Sequence, residues 1–365
     1  MMCNLCHNVT FAGNFLPRFL SPSPLTPKRA SISDIAKELK LAVSTVSRAL
    51  SGHSRISEAT RQRVWQLAEQ LDYQPNHLAA ALRKGRSNTL GVILPNIDGH
   101  FFALVMKGVE AVANQAGFNV MLCQSNEDHA HEAKNVETLM NAQVDGILVS
   151  LASTTHDFQH FEKARQRNLP LVFFDRILDG SEVSAVVIDD QRGGYEATKH
   201  LLAQGRRRIA HFGGPQHLNI FKDRYAGYCQ ALQEAGVPLE EELVVLCHDM
   251  SLEDGAAGIR QLLALPQPPD AIFSSGDFTA VGALEALKEN GLRVPQDVAL
   301  AGFGNETFSS LTEPKLTTID QRCEEMGGSA VRLLLEMIQN HAQPRLPRKI
   351  VLQPELLTRA SSAPR

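Results

Sequence analysis

The stretch Val43-Ser44-Thr45-Val46-Ser47-Arg48 places three hydroxyls and a guanidinium on one short segment. Serine and threonine hydroxyls donate to phosphate oxygens, and the planar arginine fork matches the O6 and N7 acceptors of guanine. The surrounding charge fits that chemistry. Residues 28–88 hold 11 Lys and Arg against five acids, a net +6, in a chain whose net charge is −4. With Arg18 also counted, residues 89–365 sum to −11. A basic module on an acidic body points to a polyanionic partner for the module alone.

Three short helices are expected to position these groups. Ser33 would cap the first, Asp34–Lys40, with Ile35, Ala36 and Leu39 on one face. The second is Val43–Leu50, with Val46, Ala49 and Leu50 inward and Gly52 at its end. Ser57 would cap the third, Glu58–Leu71, with Val64, Leu67, Ala68 and Leu71 inward. Two helices joined by a short turn, the second polar on its outer face, make a helix-turn-helix pattern. Next comes YQPNHLAAALRKG, residues 73–85. It frames a helix of about eight residues, too short to be stable alone, which must fold against something else.

From Asn88 the rhythm changes to short apolar runs alternating with amphipathic helices. The expected strands begin at Leu90–Leu94, Asn119–Cys123, Gly146–Ser150, Leu171–Phe174 and Ala185–Ile188. They continue at Ile209–Phe212, Leu243–Cys247, Ala271–Ser274 and Val298–Phe303. Buried strands alternating with helices mean βαβ units and parallel sheets. So many strands fit two successive doubly wound lobes, splitting near residue 188, better than one sheet.

Composition excludes several classes. No apolar run approaches the ~18 residues of a membrane span, so no membrane partner is expected. Six scattered cysteines form no metal-ligand quartet and indicate a reduced, cytoplasmic protein without metal or cofactor. Cys3-Asn4-Leu5-Cys6-His7 matches the haem-attachment spacing, but the flanking residues make a poor secretion signal. Residues 1–30, with four prolines and no acid, have the composition of an unstructured leader or of an upstream mis-start. No P-loop, G-x-S-x-G elbow or H-E-x-x-H occurs, and the chain is not expected to be an enzyme. A solute-binding receptor of periplasmic type is the alternative, but it would need a secretion signal and no basic headpiece.

Residues 31–88 resemble the DNA-binding headpiece of the LacI/GalR (lac-repressor) family. The likeness rests on T-V-S-R at 45–48, I-S-x-x-T-R-x-x-V from Ile56 and Y-x-P-N-x-x-A-x-x-L from Tyr73, in family order and spacing. It extends over residues 31–360. The resemblance implies a small all-α helix-turn-helix headpiece (31–75), a hinge helix (76–87) and an α/β two-lobed, periplasmic-binding-protein-like core (88–360) of doubly wound parallel sheets. Lobe 1 would comprise about 88–188 and 317–345, and lobe 2 about 189–316 and 346–360. The final strand, Lys349–Gln353, is thus expected in lobe 2. The implied function is a homodimeric transcriptional regulator, most often a repressor, that binds a pseudo-palindromic double-stranded DNA operator under the control of a small-molecule effector.

Carried over by position, Val43, Ser44 and Arg48 face base edges. Thr45, Ser47, Arg55, Ser57 and Thr60 hold the DNA backbone. Asn76, Ala79, Leu82 and Arg83 belong to the hinge helix, with Leu82 as the minor-groove wedge. The family usually has Ser or Thr where this chain has Ala42, so one helix cap is missing. In the core, the resemblance implies an effector site of Phe101, Phe102, Asp175, Arg176, Arg224, Phe273, Asp277 and Asn305, with a carbohydrate as the expected ligand. Two readings stay open: Asp175 and Arg224 as a lobe-bridging salt bridge, and Phe102 as core. Gly304 replaces a common Asp, and Leu218 and Ile220 stand where purine-binding members carry Arg and Thr. A purine effector is therefore disfavoured.

Overall fold

Ser31 and Asp34 close a reciprocal capping box at the start of α1 (Ile32–Leu39): each side chain accepts the other's backbone N–H. This corrects the expected Ser33 cap. A capping box needs an acid three residues after the cap, and only Ser31 places Asp34 there. Helix α2 (Val43–Leu50) follows with Ala42 at its N-cap and no side-chain cap, as the Ala42 substitution implies. Helix α3 (Glu58–Gln70) starts from Ser57, which accepts the N–H of Thr60. Ile35, Ala36, Val46, Ala49, Val64 and Ala68 form the buried core of the three helices.

The computed structural model describes residues 30–73, 86–97, 99–178, 182–340 and 346–362. Described residues before 74 and after 85 belong to separate units. The hinge segment, with Asn76, Ala79, Leu82 and Arg83, and most of the 1–30 leader lie outside the described residues.

The second unit opens with β1 (Thr89–Leu94), α4 (His100–Gln115), β2 (Asn119–Gln124), α5 (His129–Asn141), β3 (Gly146–Val149), α6 (Gln159–Gln166), β4 (Leu171–Phe174) and β5 (Ala185–Ile188). It continues with α7 (Asp190–Ala203), β6 (Ile209–Gly213), α8 (Asn219–Glu234), β7 (Val244–Leu246), α9 (Leu252–Leu263), β8 (Ala271–Ser274), α10 (Asp277–Glu289) and β9 (Ala299–Ala301). It closes with β10 (Thr318–Asp320), α11 (Cys323–Gln339), β11 (Lys349–Leu352) and β12 (Glu355–Leu357). The first lobe is a parallel sheet of order β11-β5-β4-β3-β1-β2, and the second a parallel sheet of order β7-β6-β8-β9. Most inner strands are buried along their length, as parallel strands covered by helices on both faces must be.

Lys349–Leu352 pairs in parallel with Ala185–Ile188 in the first lobe's sheet, not the second's. This corrects the expected placement. After α11 returns to lobe 1, the nearest open sheet edge is that of β5, and the chain crosses back only through β12, antiparallel to β10. The chain therefore passes between lobes near residues 189, 317 and 354. Helices α4 and α11 approach closely in lobe 1. A Cβ at Gly108 would lie 2.1 Å from the Glu324 carbonyl oxygen, and one at Gly327 2.0 Å from that of Val105. Only glycine permits this backbone contact.

Candidate nucleic-acid interface and effector cleft

On α2 the buried residues are Val46 and Ala49, Leu50 packs against the same core, and the helical period turns Val43, Ser44 and Arg48 outward. Val43, Ser44 and Arg48 are exposed, while Thr45 and Ser47 are half-buried. Val43 is 46% exposed, unusual for an apolar side chain on a three-helix module but suited to a thymine methyl. Arg55 and Ser57 are exposed in the following loop and cap, and Thr60 is half-buried. The Ser57 and Thr60 hydroxyls lie 2.8 Å apart, so capping and any phosphate contact share one pair. Trp65, 53% exposed on α3, was not singled out in the sequence.

In the second unit, strand ends of both lobes and the crossings converge. Arg224, on α8, is 4% exposed. Its Nε donates to Asp190 Oδ1 at 2.7 Å, and its two terminal nitrogens donate to the Ser275 carbonyl at 2.9 Å and Gln321 Oε1 at 3.0 Å. The guanidinium lies over the Phe303 ring at 3.7 Å. Its ion-pair partner is Asp190, at the start of α7, rather than Asp175. Burial pushes the Asp190 carboxyl up to about 7, with Arg224 pulling against it.

Asp175 follows β4 with φ of +60°, a left-handed backbone uncommon outside glycine. Asn219 of lobe 2 holds this turn across the cleft, donating to the Asp175 carbonyl at 3.1 Å and accepting from the Ile177 N–H at 2.8 Å. The Asp175 carboxylate is raised by burial, against the pull of Arg176 and Arg224. Arg176 spans both oxygens of Glu127, at 2.9 and 2.8 Å. At the other rim, Glu306 accepts the N–H groups of His100 and Phe101 in the first turn of α4, at 3.1 and 3.4 Å. Gly99 gives that helix no side-chain cap, and the carboxylate from lobe 2 substitutes for one.

Several expected effector residues occupy other places. Phe273 has no exposed surface and packs its ring 5.1 Å from that of His211. It is a core residue because its β8 position points into the covered sheet face, and the expectation of a ligand wall is corrected. Phe102 is also core at 5% exposure, with half-buried Phe101 edge-on at 4.9 Å. Asp277 commits one oxygen to the Thr318 hydroxyl at 2.7 Å and the other to the Glu306 N–H at 2.9 Å. Burial raises its carboxyl to about 6. Asn305 donates to Asp320 and accepts from Arg359, both at 2.7 Å. These two side chains pin the loop that carries Glu306.

The sequence reading missed Asp190, Gln321, Asn219, Glu127 and Glu306. The Asp189-Asp190 doublet directly after β5 was the one available signal, since charged pairs at the carboxyl end of a parallel strand face the crevice.

Residues 31–76 match the model of bacterial regulatory proteins of the lacI family, and residues 87–358 that of periplasmic binding proteins and the sugar-binding domain of the LacI family. The chain belongs to the LacI family. Over 337 residues it is 35% identical to the HTH-type transcriptional regulator DegA of Bacillus subtilis (strain 168), spanning 92% of this chain and 99% of that one. It is 33% identical over 311 residues to the HTH-type transcriptional repressor CytR of Escherichia coli (strain K12), spanning 85% and 90%. The lac repressor dimer bound to operator and the anti-inducer ONPF superposes with a TM-score of 0.81 at 25% identity, over 92% of this chain and 99% of that one. As a LacI-family member the chain is a helix-turn-helix transcriptional regulator with an effector-binding core. Its matched relatives are transcriptional regulators rather than enzymes. Among the described residues no helix is long and apolar enough to cross a membrane.

Proposed function

We propose that this LacI-family regulator is a cytoplasmic homodimeric repressor without enzymatic activity, released from or fixed on a pseudo-palindromic operator by a small polyhydroxylated effector. The observation that carries this reading is the buried Arg224. Three of its five N–H donors go to Asp190, Ser275 and Gln321, leaving two for a ligand. Asp175 and Arg176 stand on the opposing lobe, so a ligand there meets carboxylate acceptors and guanidinium donors, the chemistry of hydroxyl-rich molecules. A structural relative, the transcriptional regulator CelR, is described in complex with cellobiose; it superposes with a TM-score of 0.69 at 30% identity, over 91% of this chain and 100% of that one. For the dimer, the supporting feature is β2, an end strand of its sheet. Leu122 there is 43% exposed and lines a surface shared with Met106 of α4, and Met121 on the opposite face of the strand is 39% exposed. A second copy would cover this edge.

Thermal-shift screening of the full chain against sugars, sugar acids and nucleosides tests the effector class. A sugar that raises the midpoint and changes operator affinity supports the reading. Stabilisation by nucleosides alone would replace it.

A further inference from the structure

Outside the cleft contacts described above, a buried histidine nitrogen on the rim of lobe 1 lacks a partner. His160, in the first turn of α6, has a side chain 6% exposed. Its Nε2 lies 2.7 Å from Oε1 of Glu132, which has no exposed surface. The same carboxylate accepts the Thr155 hydroxyl at 2.8 Å and the Ala152 N–H at 2.7 Å. A carboxylate so placed only accepts, so the Nε2 of His160 carries the proton and donates. Nδ1 is then a bare lone pair. It is buried and meets no hydrogen-bond donor.

Two more ligand groups surround it. His129 opens α5, with its ring edge-on to that of His160 at 4.6 Å and its backbone N–H donating to the Thr154 hydroxyl at 2.9 Å. Asp157 lies three residues before His160, and one of its oxygens accepts the Gln159 N–H at 2.9 Å. Ligating atoms of His129, Asp157 and His160 lie within 4.8 Å of one another. Tetrahedral zinc, with bonds of about 2.0–2.1 Å, sets its ligands roughly 3.4 Å apart, so rotation of the exposed Asp157 and half-buried His129 closes the set.

We propose that His129, Asp157 and His160 bind a divalent transition metal of the zinc class, with water in the fourth position. Two imidazoles and one carboxylate suit zinc, nickel or cobalt and disfavour magnesium and calcium, which take oxygen ligands. Glu132 acts as the outer carboxylate that fixes the ligand imidazole's tautomer and orientation. The ion would tie the start of α5 to the loop before α6. That loop carries the Ser153 carbonyl, which lies 2.6 Å from His217 Nε2 of the other lobe, so the site stands where the two lobes meet. Sequence spacing concealed it because the ligands come from two helices and the loop before the second.

The test uses the full chain with Cys3→Ser and Cys6→Ser, which removes the Cys-x-x-Cys-His segment as a rival soft site. Metal-free protein is titrated with Co²⁺, followed by its visible d–d absorption, and then with Zn²⁺ in competition. The expected result is saturation at one equivalent per chain, with Co²⁺ displaced by Zn²⁺. His129→Asn and Asp157→Asn, neither of which touches buried Glu132, should each weaken binding at least about tenfold. Mg²⁺ should not compete. Absence of saturable binding in the Cys3→Ser, Cys6→Ser chain, or wild-type affinity in both variants, overturns the proposal.

Discussion

Glu306 of lobe 2 caps a helix of lobe 1, accepting the His100 N–H at 3.1 Å where Gly99 supplies no side chain. The carboxylate therefore links two bodies that must move relative to each other if the cleft opens. An anion at a helix N-terminus contributes about 0.3–2 kcal/mol, more when partly buried. Glu306→Gln keeps the shape and removes the charge. The denaturant midpoint of the core should fall by an amount equivalent to about 1 kcal/mol, read from urea unfolding at constant slope. An unchanged midpoint would show that the cap contributes nothing to closure.

Arg224 and Asp190 form a buried pair at 2.7 Å. Removing one partner leaves the other buried and uncompensated, a loss of about 3–5 kcal/mol. Arg224→Met and Asp190→Leu should each destabilise the chain by that order. The double variant should lose far less than the sum, since neither charge is then stranded. Additive losses in a double-mutant cycle would show that the two residues act independently. Any of these variants should also lose the effector response.

His211 is wholly buried, packed beside Tyr228 at 5.0 Å, and burial holds its imidazole pKa down to about 3. In the unfolded chain the same group titrates near about 6.5. Between these values the unfolded state binds a proton that the folded state refuses. The stability this group contributes is therefore present above about pH 6.5 and lost as the pH falls, by up to about 1.4 kcal/mol per unit. Asp190 and Asp277 act oppositely: their raised folded values, about 7 and about 6, make stability fall as pH rises from about 4. The informative measurement is a difference. His211→Phe should resist acid better than wild type between pH 6 and 4 on unfolding curves, whatever its stability at neutral pH. Parallel pH profiles would place the proton elsewhere.

Arg48 is exposed on the outer face of α2. Arg48→Ala should cost about 1–3 kcal/mol at a cognate operator and relax preference at one base pair per half-site. Thr60→Ala should weaken all sequences about equally. Selection from a randomised operator library distinguishes the two, and an unchanged base preference in Arg48→Ala would contradict the docking face assigned to α2.

Leu122 is 43% exposed on the open edge of the first lobe's sheet. If a second copy covers this edge, Leu122→Glu buries a charge in the interface and should shift the chain toward monomer in sedimentation equilibrium. Operator affinity should fall with it, because one half-site alone then holds each headpiece. Dimer mass in the variant would place the contact on another surface.

The sequence by itself determined the three-helix headpiece, the outward set Val43, Ser44 and Arg48, the alternation of strands and helices, and the placement of Asp175 and Arg176 directly after β4. These depend on local rules: caps act within three residues, helical faces repeat within four, and a strand followed by a helix places its last residues at the crevice. Only the tertiary structure decided the rest. It showed that Lys349–Leu352 joins β5, that Arg224 pairs with Asp190 across 34 residues, and that Phe273 faces the core. It also showed Glu306 reaching α4 from 205 residues away. A short apolar run carries the same pattern whichever sheet edge it joins, and a buried carboxylate finds its cation by proximity in space rather than in sequence.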